Sequence, residues 1–214
     1  MITDWKLLSS WVDKLEANLT QDKLQKFQTY HQLLLDWNKK ISLISRQDIG
    51  RIVSYHFIDS ISTISEIPQN SIVCDLGTGA GLPGIPIKIL RDDITLYLIE
   101  SIKKKGYFLQ EVIKTLALEK TFLLLERAEA IKDKRFDIIL VRLFGKIFDV
   151  LPFASKLLNE NGKVIFYKVE GIEKEIDRAK KTAEQTHFEL KSVRDIKLPA
   201  TEIIRKLVIY QLAQ

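Results

Sequence analysis

Apolar residues in the first part of the chain recur with the period of a helix. One set falls three or four positions apart on a single helix face, with Thr20 placed to cap it: Leu24, Phe27, Tyr30, Leu34 and Trp37. The same spacing returns between Ile49 and Ile64. Pro68 and Asn70 then interrupt the helical period. The pattern predicts a helical N-terminal cap over residues 1–66.

The pattern changes after this break. Short apolar runs now alternate with amphipathic segments of helix length, and the runs are "SIVCD", "ITLYLI", "TFLLL", "FDIILV" and "KVIFYK". Such alternation is typical of a largely parallel sheet with helices on both faces. The last two runs, "FELKSVRDI" and "RKLVIYQL", have too little chain between them for a crossover helix, so they predict an antiparallel hairpin at the sheet edge. Residues 67–214 are therefore expected to form a doubly wound, Rossmann-like α/β domain with an antiparallel C-terminal strand.

The stretch "DLGTGAGLPG" directly follows the first predicted strand, where doubly wound sheets bind their ligands. Gly79, Gly81 and Gly84 satisfy the G-x-G-x-x-G pattern. Glu100 ends the next predicted strand, at a spacing that suits a contact with a ribose. On this interpretation the cofactor is a dinucleotide and the protein is an NAD-dependent oxidoreductase.

A second interpretation of the loop begins at Asp75. Asp75, Gly77, Gly79 and Gly81 form the acid-x-G-x-G-x-G pattern of S-adenosylmethionine (SAM) methyltransferases. A carboxylate at this point repels a pyrophosphate but attracts the ammonium and sulfonium charges of SAM. The acid therefore favours SAM over NAD as the cofactor.

Motifs that the sequence lacks narrow the range of possible methyl acceptors. Methylation at pyrimidine C5 needs a cysteine nucleophile, and the only thiol, Cys74, falls inside a predicted strand. The segment after the fourth predicted strand is "VRLFGK", without the Pro-Pro common in enzymes that methylate exocyclic amines. A ring nitrogen such as guanine N7 has an exposed lone pair and loses no proton, so alignment with the methyl group suffices. The absence of both motifs therefore favours a ring nitrogen as the methyl acceptor.

With these residues in view, the chain resembles the bacterial small-subunit rRNA guanine-N7 methyltransferase family, RsmG or GidB, from about Leu24 to the C-terminus. The matching segments are "LLLDWNKKISLIS", "HFIDSI", "DLGTGAGLPGIPI", "ESIKKKGYFL" and "FDIILVRLF". The resemblance implies a SAM-dependent methyltransferase fold. It also implies methyl transfer to N7 of a guanine in the 530 loop of 16S rRNA, within the small ribosomal subunit.

The resemblance further implies the site residues. Those for the cofactor are Asp75, Gly77, Gly79 and Gly81 at the methionine end, Glu100 and Ser101 at the ribose, and Ala128 and Glu129 beside the adenine. Arg142 is the catalytic candidate, because it would hold the guanine or a nearby phosphate in place, and Lys168 is a candidate RNA contact. Val141 and Leu143 replace small residues of the family beside this arginine. An alternative therefore stays open, a SAM-binding RNA-binding or ribosome-assembly protein without transfer activity.

Charge and composition indicate the binding partner and the cellular location that the sequence predicts. The net charge of +5 over 214 residues is compatible with an RNA partner. Lys103, Lys104 and Lys105 open a predicted helix beside the cofactor, where they either bind phosphates or form a solvated face. One cysteine and three scattered histidines predict neither a disulfide nor a metal site. Without a long apolar run, the sequence predicts a cytoplasmic protein with no membrane contact, expected to be a monomer.

Overall fold

A seven-stranded mixed sheet forms the centre of the protein in the computed structural model, which describes residues 4–199 and 201–213. The strands are β1 (Ile72–Leu76), β2 (Thr95–Ile99), β3 (Thr121–Leu124), β4 (Phe136–Arg142), β5 (Leu158–Lys168), β6 (Phe188–Lys197) and β7 (Ile204–Leu212). Their order is β3-β2-β1-β4-β5-β7-β6. β1 to β5 pair in parallel, and β7 pairs antiparallel with both β5 and β6. The predicted mixed sheet is confirmed, although only β6 of the hairpin forms the edge.

The α-helices are α1 (Asp4–Lys14), α2 (Gln21–Asn38), α3 (Ile58–Ile61), α4 (Gly84–Leu90), α5 (Lys103–Thr115), α6 (Ile147–Leu157) and α7 (Glu173–Gln185). The helices α1 to α3 precede the sheet, and α4, α5, α6 and α7 follow β1, β2, β4 and β5, while only a 3₁₀ turn joins β3 to β4. β1 lies between β2 and β4, so the chain leaves β1 in one direction across the sheet and continues from β4 in the other. The crevice for a ligand is expected at the carboxyl ends of these strands, where the direction reverses.

The N-terminal segment is helical, but less regular than predicted. Thr20 caps α2 as expected, and its hydroxyl accepts a hydrogen bond from the Lys23 N–H at 3.3 Å. The predicted helix from Ile49 to Ile64 is instead a 3₁₀ turn, a π-helical segment (Ile52–Phe57) and the short α3. Apolar spacing indicates helical winding but not which carbonyl each N–H binds. Residues 1–3 of the predicted cap lie outside the described residues.

Two apolar cores cover the two faces of the sheet. The first packs the N-terminal helical segment, α4 and α5 against one face, and the second packs α6 and α7 against the other. Along β4, Ile138 and Leu140 face the first core while Ile139 and Val141 face the second. Because side chains alternate along a strand, Arg142 points toward the N-terminal helical segment.

Within the described part of the chain, no helix has both the length and the apolar character needed to span a membrane.

Candidate active site

The glycine loop leaves β1 through three left-handed residues. The φ angles of Gly77, Gly79 and Gly81 are +67°, +58° and +87°, a region that other residues enter only with strain. A Cβ at Gly77 would lie 2.3 Å from Cδ2 of Phe144. A Cβ at Gly79 would meet nothing closer than 3.9 Å. Gly77 therefore allows Phe144 to pack directly on the loop, whereas a Cβ at Gly79 would make only ordinary van der Waals contacts.

Asp75 lies beneath this loop and is fully buried. Its Oδ2 accepts hydrogen bonds from the Thr78 hydroxyl at 2.6 Å and the Gly84 N–H at 2.7 Å. Its Oδ1 is buried without a hydrogen-bond partner among the described residues. Burial raises the pKa of Asp75 to about 6, although the hydrogen bonds from Thr78 and Gly84 oppose the shift. Asp75 thus braces the loop and keeps one oxygen unpartnered.

Glu100, which directly follows β2, connects the glycine loop to the start of α5. Its Oε2 accepts a hydrogen bond from the Gly79 N–H at 3.1 Å, and its Oε1 accepts one from the Ile102 N–H at 2.8 Å. The side chain is buried, and it still borders the cleft described next. Glu100 therefore fixes the relative positions of the two segments on which a nucleoside would rest.

A cleft of about 350 Å³ opens at the carboxyl ends of β1, β2 and β4. The predicted cofactor residues that line it are Gly77, Glu100, Ser101, Ala128 and Glu129. Asp75, Gly79 and Gly81 lie in or beneath the loop, outside this lining. The sequence interpretation did not assign Ile102, Arg127 or Phe144, which also line the cleft. No sequence motif marks these three side chains, and the folded arrangement of the strands and loops brings them to the cleft.

The predicted RNA-binding lysines occupy different environments. Lys103 and Lys104 are exposed on the first turn of α5, while Lys105 is half-buried and lines the cleft. Lys168 forms an ion pair with Glu175 at 2.8 Å and donates to the Gly145 carbonyl at 3.2 Å. Lys168 therefore holds the segment after β4 in place, and its charge is already paired.

Arg142, the predicted catalytic residue, lies outside the cleft in a buried polar cluster. Its Nη2 is 2.6 Å from His56 Nδ1, and its Nη1 is 3.4 Å from the Ser60 hydroxyl. Its Nε is 3.0 Å from Asp59 Oδ2, an ion pair without the alignment of a hydrogen bond. The side chain is only 3% exposed. Arg142 thus joins β4 to the N-terminal helical segment.

The same carboxylate pairs with a second arginine that the sequence interpretation did not assign. Arg205 Nε and Nη2 donate to the two oxygens of Asp59 at 2.7 and 2.9 Å. Burial and the nearby Arg142 lower the pKa of His56 to about 4, so the imidazole is neutral at pH 7. With two guanidinium groups and one carboxylate, the cluster of His56, Asp59, Arg142 and Arg205 carries one excess positive charge.

A second, smaller cavity of about 140 Å³ adjoins the cleft. Its lining residues are Val141, Leu143, Phe144, Tyr167, Lys168, Val169 and Arg205. Leu143 and Phe144 also line the first cleft, so the two spaces share one wall. Arg142 lines neither of them.

Comparisons with known proteins agree with this architecture. The family described as rRNA small subunit methyltransferase G (GidB) matches residues 23–205. The ribosomal RNA small subunit methyltransferase G of Carboxydothermus hydrogenoformans is 32% identical over 97% of this chain and 91% of its own. That of Bacillus subtilis is 30% identical over 90% of this chain and 83% of its own.

Solved structures of other proteins share the fold of this chain. M. jannaschii TYW2 in complex with AdoMet superposes with a TM-score of 0.61 over 82% of this chain and 80% of its own, at 22% identity. A ribosomal protein L11 methylase from Lactobacillus delbrueckii gives a TM-score of 0.59 over 73% of this chain and 78% of its own, at 16% identity. The expected methyltransferase fold is confirmed.

Proposed function

Because the chain belongs to the rRNA small subunit methyltransferase G family, we propose that it transfers a methyl group from SAM to 16S rRNA, at N7 of a guanine in the 530 loop. The observation that carries the proposal is the cleft at the carboxyl ends of β1, β2 and β4, which lies beside the glycine loop. Membership of a methyltransferase family favours SAM over the dinucleotide that the G-x-G-x-x-G spacing also allowed.

The residues of the cleft fit SAM. The carboxylate of Glu100 borders the cleft at the end of β2, where a ribose is expected, and it also holds the N–H of Gly79. The unpartnered Oδ1 of Asp75 supplies negative charge beneath the loop, on the side assigned to the methionine end. When bound, SAM supplies an electrophilic methyl group on a sulfonium. The loop residues Gly77, Gly79 and Gly81 would hold its methionine portion, and Ala128 and Glu129 would flank the adenine.

A guanine N7 acceptor is supported by the side chains at the junction of the two cavities. Leu143 and Phe144, which border both spaces, are apolar and cannot accept a proton. Among the described residues that line the second space there is no histidine, cysteine or carboxylate. Transfer to a neutral ring nitrogen needs alignment but no base, so this junction suits it.

Arg142 acts in this proposal as a positioning residue. Its guanidinium holds β4 to the N-terminal helical segment through Asp59, His56 and Ser60, and so fixes the start of the segment that carries Phe144. Lys103, Lys104 and Lys105 would bind the RNA backbone, because they form the first turn of α5, where Lys105 lines the cleft and the other two are exposed to a passing strand.

The deciding experiment uses purified small subunits from cells that lack this gene. We expect the protein to transfer radiolabelled methyl from SAM to 16S rRNA, and mass spectrometry of the nucleosides to identify 7-methylguanosine. SAM binding without any transfer would support the alternative, an RNA-binding or ribosome-assembly protein. A different methylated nucleoside would support methyltransferase activity but overturn the assignment of guanine N7 as the acceptor.

Three further parts of the proposal concern the whole protein. We expect a cytoplasmic monomer, in which residues 1–66 form a helical cap on the methyltransferase domain of residues 67–214. Sedimentation velocity tests the monomer, and cell fractionation tests the location. Limited proteolysis tests the boundary near residue 66.

A further inference from the structure

We propose that Tyr30 of α2 is a positioning residue of the cofactor site, whose hydroxyl holds the glycine loop in the shape that binds SAM. The proposal rests on the function proposed above and adds the N-terminal helical segment to the parts of the molecule that set cofactor affinity. Tyr30 borders neither the cofactor cleft nor the second cavity, so it acts through the loop and not by touching the cofactor.

A buried hydrogen bond joins α2 to the loop. The Tyr30 hydroxyl donates to the carbonyl oxygen of Ala80 at 2.5 Å, and the two residues are 0% and 5% exposed. A Cβ on Gly81 would lie 3.0 Å from the same hydroxyl oxygen, so the glycine permits this close approach. A carbonyl removed from water needs a donor, and the described residues give that of Ala80 no donor other than Tyr30.

The loop needs this support because glycines flank Ala80. Gly79 and Gly81 have φ angles of +58° and +87°, and glycine has access to many more backbone conformations than other residues. The peptide unit between Ala80 and Gly81 is bonded at both ends. Its N–H donates to the Thr78 carbonyl at 2.9 Å, within the loop, whereas its carbonyl is held from outside the loop by Tyr30. The hydroxyl therefore fixes this peptide unit relative to the rest of the protein.

The phenol ring is itself held in place. It stacks on Phe57 of the π-helical segment, with ring centroids 5.2 Å apart and planes at 10°, and its centroid is 6.5 Å from that of Phe108 on α5. Burial raises the pKa of Tyr30 well above its ordinary value, and the charge of Asp75 adds to the shift, against an opposing effect of Arg142. The hydroxyl therefore keeps its proton and remains a donor.

The helix that carries Tyr30 is bonded near both ends to helices of the methyltransferase domain. Near the start of α2, Lys23 Nζ donates to the carbonyl of Leu90 at the end of α4, at 2.8 Å. Near its end, Trp37 Nε1 donates to a carboxylate oxygen of Glu111 on α5, at 3.0 Å. Because α4 and α5 follow β1 and β2, these bonds place Tyr30 at a fixed height beside the loop.

Loss of the hydroxyl should lower the fraction of molecules whose loop is ready to bind SAM. The apparent dissociation constant equals the intrinsic one divided by that fraction. A buried acceptor left without its donor shifts such an equilibrium by about tenfold or more. Bound SAM restores the loop, so the defect should disappear when SAM is saturating.

The first test is Tyr30→Phe, which removes the hydroxyl and keeps the ring. Its dissociation constant for SAM, measured by calorimetry, should rise about tenfold. Its single-turnover rate of methyl transfer to small subunits should be close to that of the wild type once SAM is saturating. An unchanged dissociation constant would overturn the proposal, and so would a lower rate that saturating SAM does not restore.

Tyr167→Phe is the matched control. Tyr167 is also buried, its hydroxyl donates to the Ser60 carbonyl at 2.8 Å, and it does not line the cofactor cleft. Both variants should lose stability in urea, but only Tyr30→Phe should lose SAM affinity. An equal loss of SAM affinity in the two variants would show a general effect of removing a buried hydroxyl, and would overturn a specific role of Tyr30 at the loop.

The second test needs neither cofactor nor activity. In hydrogen exchange followed by mass spectrometry, peptides that cover residues 77–82 should exchange about tenfold faster in Tyr30→Phe than in the wild type, and at the wild-type rate in Tyr167→Phe. Equal exchange in Tyr30→Phe and the wild type would overturn the role of Tyr30 even if the wild type methylates small subunits. Absence of methylation by the wild type would instead refute the proposed function, and the exchange rates would still decide whether Tyr30 holds the loop.

Discussion

The carboxylate of Glu100 accepts a hydrogen bond from the backbone N–H of Gly79 at 3.1 Å, and so ties the end of β2 to the glycine loop. In the proposed complex the same side chain contacts the ribose. Glu100→Ala should therefore weaken SAM binding by about 1.5–3 kcal/mol, the range for hydrogen bonds to a charged group. Isothermal titration calorimetry measures the change directly.

Glu100→Gln is the matched variant, since it keeps one acceptor oxygen at the same position. We expect its dissociation constant to fall between those of the wild type and Glu100→Ala. A wild-type dissociation constant for Glu100→Ala would remove Glu100 from the cofactor site.

Gly79 offers a second test of the loop. Gly79→Ala forces a side chain into a left-handed conformation and places a methyl group 4.0 Å from Nζ of Lys105, a residue that lines the cleft. Gly171 has a φ of +82°, and a methyl group added there would have no neighbour within 4 Å. Gly171→Ala is therefore the matched control, because it introduces the same backbone strain away from the cofactor site. Both variants should lose about 1–2 kcal/mol of stability. Only Gly79→Ala should also lose SAM affinity, and equal SAM binding by the two would exclude Gly79 from the site.

The lysines at the start of α5 are tested by salt dependence. If they bind phosphates, affinity for small subunits should fall less steeply with salt after Lys103, Lys104 and Lys105 are changed to Glu. The slope of log K against log salt should drop by about 0.7–0.9 for each phosphate that is no longer neutralised. Lys191→Glu with Lys197→Glu, on the far edge strand β6, should leave the slope unchanged. An unchanged slope in the α5 variant would assign its lysines to a solvated face.

The buried cluster predicts an order of stabilities. Asp59→Ala leaves two guanidinium groups facing each other without a counter-charge and should cost about 3–5 kcal/mol. Arg142→Ala leaves Asp59 paired with Arg205, so its loss should be smaller, about 1–3 kcal/mol. Urea unfolding of the two variants measures both values. If Arg142→Ala lost more free energy of unfolding than Asp59→Ala, Asp59 would not be the shared counter-charge of the two arginines.

Arg142→Ala should therefore stay folded enough for kinetics. We expect its methyl transfer to fall by orders of magnitude while its SAM affinity stays close to that of the wild type. Arg142→Lys should restore little, because one ammonium cannot reach Asp59, His56 and Ser60 together. Full transfer by Arg142→Ala would show that the cluster does not position the acceptor segment.

His56 and Asp75 should oppose each other in the pH dependence of stability. Burial and Arg142 lower the pKa of His56 from 6.5 to about 4, so its contribution is complete above pH 6.5 and is lost as the pH falls toward 4. Burial raises the pKa of Asp75 from 3.8 to about 6, so its contribution grows as the pH falls from 6 toward 4. Each shift corresponds to about 3 kcal/mol.

The variant Asp75→Asn separates these two contributions. It removes the group that gains stability in acid, so the loss due to His56 should appear in full. Between pH 7 and pH 4.5 we expect its free energy of unfolding, measured in urea, to fall by about 2 kcal/mol more than that of the wild type. Parallel pH profiles for the two proteins would contradict the raised pKa of Asp75.

The strands and the glycine loop could be predicted because their signals are local. Each strand of the parallel sheet is a short apolar run, and Gly77, Gly79 and Gly81 mark the tight turn after β1. Glu100 could be found by its spacing from the loop. Its hydrogen bond to the Gly79 N–H could not, because that bond depends on how β1 and β2 pair.

The environment of Arg142 could not be predicted for a different reason. Strand alternation places Arg142 on the same face as Leu140, but the sequence does not say which helices cover that face. The packing of the N-terminal segment decides this, and it brings Asp59 to both Arg142 and Arg205. Phe144 could not be assigned from the sequence because its contact with Gly77 joins positions far apart in the chain.

The pairing of Asp59 with Arg205 spans 146 positions, and it sets an order of assembly. During synthesis the N-terminal helices are complete long before β7 leaves the ribosome. Until then the carboxylate of Asp59 lacks one of its two arginines, and β5 lacks the neighbour that separates it from β6. Contacts this distant in sequence form late in folding. The protein therefore completes its core only after nearly the whole chain has been translated.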